Sequence, residues 1–192
     1  MSVAPEPGRP ISLGRETDLA DAVDLLAVIK ALRSQSDRNR SGINKALRES
    51  LWWMWEQPRL PRPLVRSKYP ATYPWSPAAR VFVQTHRDDG GSDSMLRGLI
   101  IEHLIPANHL VQEAIASAHD LDAEGLLALL SAHGPAAVIT SIEDKRLAAA
   151  GVASRMPSDW DGIDVWARPR LAGFDLSGFA PLMPASDGLN PA

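Results

Sequence analysis

The stretch Arg97-Gly98-Leu99-Ile100-Ile101-Glu102-His103-Leu104-Ile105-Pro106 is a short apolar run, rich in β-branched residues and stopped by a proline. That is the pattern of a buried strand. An acid and a histidine stand side by side at its end. A buried carboxylate costs several kcal/mol unless a partner or a metal compensates it, so Glu102-His103 is the strongest site candidate in the chain. A second apolar run, Ala136-Ala137-Val138-Ile139-Thr140, also reads as a buried strand. Thr140-Ser141-Ile142-Glu143 then fits a capping box that starts a helix over Ile142 to Ala150, with Gly151 closing it. Asp144 falls in the first turn of that helix.

Helical patterns fill the space between and around these strands. Pro106 can open a helix with Leu110, Val111, Ala114 and Ile115 on one face, and Asp122 caps a second over Ala123 to Ala132, ended by His133-Gly134-Pro135. Upstream, Thr17 or Asp18 caps a helix in which Leu19, Ala22, Val23, Leu26, Ile29 and Leu32 recur at three- and four-residue steps, ending near Ser34 to Arg38. Ser41 begins another that runs through Trp55, Ser76-Pro77 opens a short one over Ala78 to His86, and Val165 to Ala172 makes the last. The reading is an α+β, predominantly helical fold in which a short two-stranded sheet is flanked by about six helices. Residues 1–16 are expected to be a flexible arm, 17–176 a single globular domain and 177–192 a loose tail.

Composition narrows the function classes. The 192 residues are 45% apolar, enough for one substantial core, and the formal net charge of -3 does not announce a nucleic-acid binder, so any such role would need a local basic surface. There is no cysteine, which excludes disulfides, thiolate catalysis and cysteine-ligated zinc. A basic, apolar leader is not visible at the start, and no run of about 18 apolar residues occurs anywhere. A soluble, cytoplasmic protein without membrane contact is the expectation.

Two stretches stand out as contact surfaces. Trp52, Trp53 and Trp55 crowd four helical positions and cannot all face one stripe, so at least one is expected at a second packing surface, an oligomer interface or a groove. Pro58 to Pro77 is a proline-punctuated linker in which Arg59, Arg62, Arg66 and Lys68 alternate with Tyr69, Tyr73 and Trp75. Cations interleaved with rings suit phosphate contact plus base stacking, on either DNA or RNA, although rings pinned to the core would give the same pattern.

Glu102-His103-Leu104-Ile105-Pro106 followed by Val138-Ile139-Thr140 and a helix bearing Asp144 resembles the core of the ββα-metal nucleases, the HNH or His-Me finger family. The resemblance covers about fifty residues and rests on a short motif. It implies a metal-dependent nucleic-acid phosphodiesterase in which His103 is the general base and Glu102 and Asp144 hold one Mg²⁺ or Mn²⁺. Two carboxylates are hard donors that suit these ions, and Arg97, Lys145 and Arg146 lie close enough in sequence to meet flanking phosphates. The sequence departs from the family in placing a pair of helices between the strands and in offering no securely placed central asparagine. Glu143-Asp144-Lys145 also has the form of a restriction-type carboxylate signature, which would need a further acid on a paired strand. The alternative class is a non-catalytic interaction module, an adaptor, toxin-antitoxin or regulatory partner. It would use the tryptophan patch and the basic aromatic linker on a protein or nucleic acid, with Glu102-His103 as a buried structural pair.

Overall fold

The computed structural model describes residues 4–33, 40–87 and 98–183. Among them are seven α-helices and four short strands: α1 Arg15–Arg33, α2 Arg40–Ser50, β1 Leu64–Val65, β2 Tyr69–Pro70, α3 Pro77–Arg87, β3 Leu99–His103, α4 Ala107–Ser117, α5 Ala123–His133, β4 Ala136–Thr140, α6 Ser141–Ala149 and α7 Ala167–Leu171. The fold is α+β and predominantly helical. Both anticipated strands form and pair with each other, antiparallel, with Leu99 opposite Thr140 and His103 opposite Ala136. The helical hairpin α4–α5 therefore inserts between paired strands without separating them.

β4 is the spine of the molecule, and all five of its residues are buried. Its far edge is paired as well: Gly8 exchanges both backbone hydrogen bonds with Ala136, at 2.9 and 2.8 Å, and Val138 bonds to the backbone on either side of Trp75. Because successive side chains on a strand face opposite ways, Ala136 and Val138 join a cluster with Tyr69, Tyr73, Trp75 and Leu99. Ala137 and Ile139 join Leu104, Leu147, Trp166, Phe174 and Phe179 on the other side. A third cluster is wholly helical and packs α1, α2, α4 and α5 through residues such as Leu25, Ile29, Leu47, Val111 and Leu126.

Both chain ends correct the sequence reading. Residues 4–14 are held in place. Gly8 pairs with β4, where a Cβ would meet the Tyr73 ring at 2.4 Å, and Trp166 Nε1 donates to the Pro5 carbonyl at 3.0 Å. A stretch without periodicity can still be ordered by pairing with a buried strand edge, and period-based reading misses this. At the other end Phe179 is buried and Ala180 pairs with Trp75, so the ordered domain runs past Ser177. Residues 184–192, the turn after Arg87 and the predicted end of the first helix near Ser34 to Arg38 lie outside the described residues.

The basic aromatic linker is corrected too. Tyr69, Tyr73 and Trp75 are core residues, with Trp75 fully buried and its Nε1 donating to the Pro70 carbonyl at 2.9 Å. No base can stack on them. The linker is not plain coil either, since Leu64 and Val65 pair with Pro70 and Tyr69 in a small hairpin whose tip carries Arg66 and Ser67 at φ 51° and 58°. Arg59, read as part of the basic surface, is fully buried and holds the helical layer together. Its guanidinium donates to Asp18 at 2.7 Å, to Asp21 at 2.7 Å and to the Trp55 carbonyl at 3.1 Å, and lies 3.8 Å above the Trp55 ring.

Burial pushes the Asp18 carboxyl up, but hydrogen bonds from Ser12, Arg59 and Leu13 and the charge of Arg59 outweigh it and hold Asp18 below the usual carboxylate range. The lowered value makes this contribution to stability complete above the unfolded carboxylate pKa and lost as pH falls through the folded one. Asp18→Ala leaves Arg59 without its main buried partner, and an expected loss of about 3–5 kcal/mol is read from urea denaturation midpoints at neutral pH.

Candidate functional site

The site begins at the end of β3. Glu102 and His103 are neighbours on a strand and face opposite sides, so each finds a different partner. Glu102 meets Arg168 of α7 at 2.9 Å, and His103 Nε2 lies 2.8 Å from Glu56 Oε2. Both are half-buried, with side-chain exposures of 14% and 23%. This is close to the structural pairing of the alternative reading, a histidine beside an ion-paired acid, with each residue the more exposed member of its own charged pair.

Glu56 arrives through a local irregularity. α2 passes at Leu51 into a π-helical turn, Leu51–Glu56, followed by a 3₁₀ turn over Gln57–Arg59. In π geometry the bonding step is i to i+5, which brings Glu56 nearly over Leu51 and turns it inward. The same turn distributes the tryptophans. Trp55 is buried, Trp52 is half-buried and Trp53 is 65% exposed with Trp52 edge-on to it at 6.5 Å. Trp53 alone of the three offers a full ring face to a partner; Trp55 is committed to the core and to Arg59.

Arg168 is the anchor of the other side. It is 1% exposed, and besides Glu102 it donates to the carbonyls of Val152 at 2.6 Å, Ala153 at 2.7 Å and His103 at 2.7 Å. One guanidinium thus ties α7 and the loop after α6 to the end of β3. Asp144, half-buried in the first turn of α6, lies within electrostatic reach of both Glu102 and Arg168. The capping box forms as expected: Thr140 Oγ1 accepts from the Glu143 amide at 3.2 Å and Glu143 returns the bond to the Thr140 amide at 2.8 Å. Glu143 also accepts from Ser76 Oγ at 2.7 Å, which fixes the start of α6.

The electrostatics are those of crowded charge. Burial pushes Glu102 up from the ordinary carboxylate value and Asp144 adds to this, while Arg168 and His103 pull it back. For His103, burial acts downward, but the carboxylate of Glu56, seconded by Glu102, prevails and raises it. Burial raises the Tyr73 hydroxyl as well, with Glu56 contributing. Such a concentration of perturbed groups in one place is characteristic of functional sites, though ion-pair networks produce it as well.

Among the predicted phosphate contacts, Arg62, Arg66, Lys68 and Lys145 are exposed. Lys68 lies over the Tyr69 ring at 5.3 Å. Arg146 is exposed too, and its guanidinium binds the carbonyls of Ala172 at 3.0 Å and Gly173 at 2.6 Å and lies over Phe174, which ties it to the end of α7. Arg97 lies outside the described residues. Two members of the site, Glu56 and Arg168, escaped the sequence reading. The available signals were a lone acid closing the apolar run Leu51 to Trp55 and an arginine set between Trp166 and Pro169.

Comparison of the chain with protein-family models, with curated proteins and with solved structures finds no match. No helix among the described residues is long and apolar enough to cross a membrane.

Proposed function

We propose that the protein hydrolyses phosphodiester bonds in nucleic acid at the end of β3, with His103 as the general base. The observation that carries this reading is that the His103–Glu56 dyad and the Glu102, Asp144 and Arg168 cluster flank one strand end on its two sides, on a pair of antiparallel strands of which the second runs into a helix. A phosphodiester reaching this half-buried strand end would meet the imidazole from one side and the carboxylates from the other. His103 needs to be neutral to take a proton from water, and Glu56 orients its ring.

The donor chemistry fits a divalent cation. Glu102 and Asp144 offer hard oxygens, and their mutual repulsion in a half-buried setting is what a cation relieves. When bound, Mg²⁺ or Mn²⁺ supplies positive charge to the phosphate. Arg168 already compensates Glu102 in part, which leaves Asp144 as the less satisfied donor. Lys145 is placed to meet a flanking phosphate.

Incubation with supercoiled plasmid and with single-stranded RNA tests the reading. Nicking or cleavage is expected with Mn²⁺ or Mg²⁺ and is expected to be lost on chelation and in Asp144→Asn. Cleavage that survives both would remove the metal from the scheme.

A second reading is favoured by Trp53, whose exposed ring beside Trp52 suits a protein partner. In that case Trp53→Ala would abolish partner capture and none of the preparations would cleave nucleic acid.

A further inference from the structure

Three side chains of the helical hairpin converge beside the start of β4. His109 and Glu113 stand one turn apart on α4, His133 closes α5, and each offers a ligand atom within 4.8 Å of the other two. Residues at i and i+4 of a helix project from one face, and His133 reaches that face from the adjoining helix. The pattern is two imidazole nitrogens and one carboxylate oxygen.

The hydrogen bonds around His133 say more than proximity does. Its Nδ1 lies 3.0 Å from the Leu129 carbonyl, a pure acceptor, so Nδ1 carries the hydrogen. That leaves Nε2 facing the Glu113 carboxylate at 3.1 Å. Two acceptors on one imidazole require either a second proton or a cation between Nε2 and the carboxylate. An imidazole whose outer N–H is held by a backbone carbonyl, fixing the tautomer and aiming the other nitrogen, is the usual support of a metal-ligating histidine. His133 is buried at 8% exposure, whereas the Glu113 side chain is 42% exposed and gives a cation its way in. The His109 ring stacks on His133 with centroids 5.5 Å apart, and Trp160 closes over it edge-on at 5.6 Å.

We propose that His109, Glu113 and His133 bind a zinc ion, with water in the fourth position, and that the ion clamps α4 to the end of α5. Two nitrogens and one carboxylate make a borderline donor set, which zinc takes in tetrahedral geometry and which magnesium does not favour. The clamp spans the hairpin inserted between β3 and β4 and sits just before Ala136, where β4 begins. It uses neither Glu102 nor Asp144 and does not rest on the nuclease reading.

Full-length protein stripped with chelator and titrated with Zn²⁺ by calorimetry is expected to bind one ion per chain and to melt at higher temperature when loaded. Co²⁺ should give visible absorption of the four-coordinate type, displaced by Zn²⁺. Glu113→Gln, at an exposed position, and His109→Asn should each weaken zinc binding by about tenfold or more. Glu102→Gln/Asp144→Asn should leave it unchanged, which separates this site from the strand end. No binding at roughly 100 μM Zn²⁺, or binding that Glu113→Gln and His109→Asn leave intact, overturns the proposal.

Discussion

Replacing Arg168 with methionine is expected to destabilise the protein by about 3–5 kcal/mol, the cost of stripping the partner from a buried charge. The guanidinium is 1% exposed and holds Glu102 together with carbonyls from Val152, Ala153 and His103. Methionine fills much of the volume but leaves Glu102 uncompensated and three carbonyls short of a donor. Lysine should rescue little, because a point charge cannot reproduce the planar fork that spans these acceptors. Arg168→Met/Glu102→Leu should recover part of the loss, since removing both charges is far cheaper than removing one. Urea denaturation gives all three values, and a change under about 1 kcal/mol for the single variant would show that Arg168 does not hold α7 to β3.

The second large effect concerns catalysis. His103→Asn is expected to lower cleavage by about 10²–10⁴-fold, the usual worth of a positioned base, while asparagine can still donate a hydrogen bond to Glu56. The wild-type rate should rise with pH through a midpoint above the ordinary histidine value of about 6.5, because Glu56 holds the proton on His103. Removing that influence in Glu56→Gln leaves burial and the Arg168 charge, which favour the neutral ring, opposed by Glu102 alone, so the midpoint should move to lower pH. The linked stability has a definite sign. The raised value makes the His103–Glu56 contribution complete below the unfolded histidine pKa and lost as pH rises through the folded one. An unmoved profile in Glu56→Gln would show that the 2.8 Å contact does not tune the base.

The sequence was most legible where one segment carries its own signal. The apolar runs at 99–103 and 136–140, the capping box at Thr140 and the stop at Gly151 all appear as read, with φ of 73° at that glycine. Partnerships between distant segments were not legible. Gly8 sits in a stretch with no period, and only the free edge of β4 orders it. Tyr69, Tyr73 and Trp75 look identical in sequence whether they face a nucleic acid or the core, and the bonds of β4 to the backbone beside Trp75 decide for the core.

The same divide runs through the candidate site. Glu102, His103 and Asp144 could be singled out because each sits at a recognisable strand or helix end. Their partners could not. Glu56 closes a π-helical turn that interrupts the ideal spacing, and Arg168 is charged yet buried, the opposite of its ordinary tendency. His109, Glu113 and His133 are spread over two helices whose packing alone brings them together.

The plasmid-nicking rate of wild-type protein and of His103→Asn, compared in the same Mn²⁺ buffer with matched circular dichroism and denaturation midpoints, tests the role of His103 most directly. The expected result is metal-dependent nicking by the wild type and a loss of about two orders of magnitude or more in the folded variant. Equal nicking by both, or none by either across Mg²⁺ and Mn²⁺, would contradict a hydrolytic site at the end of β3.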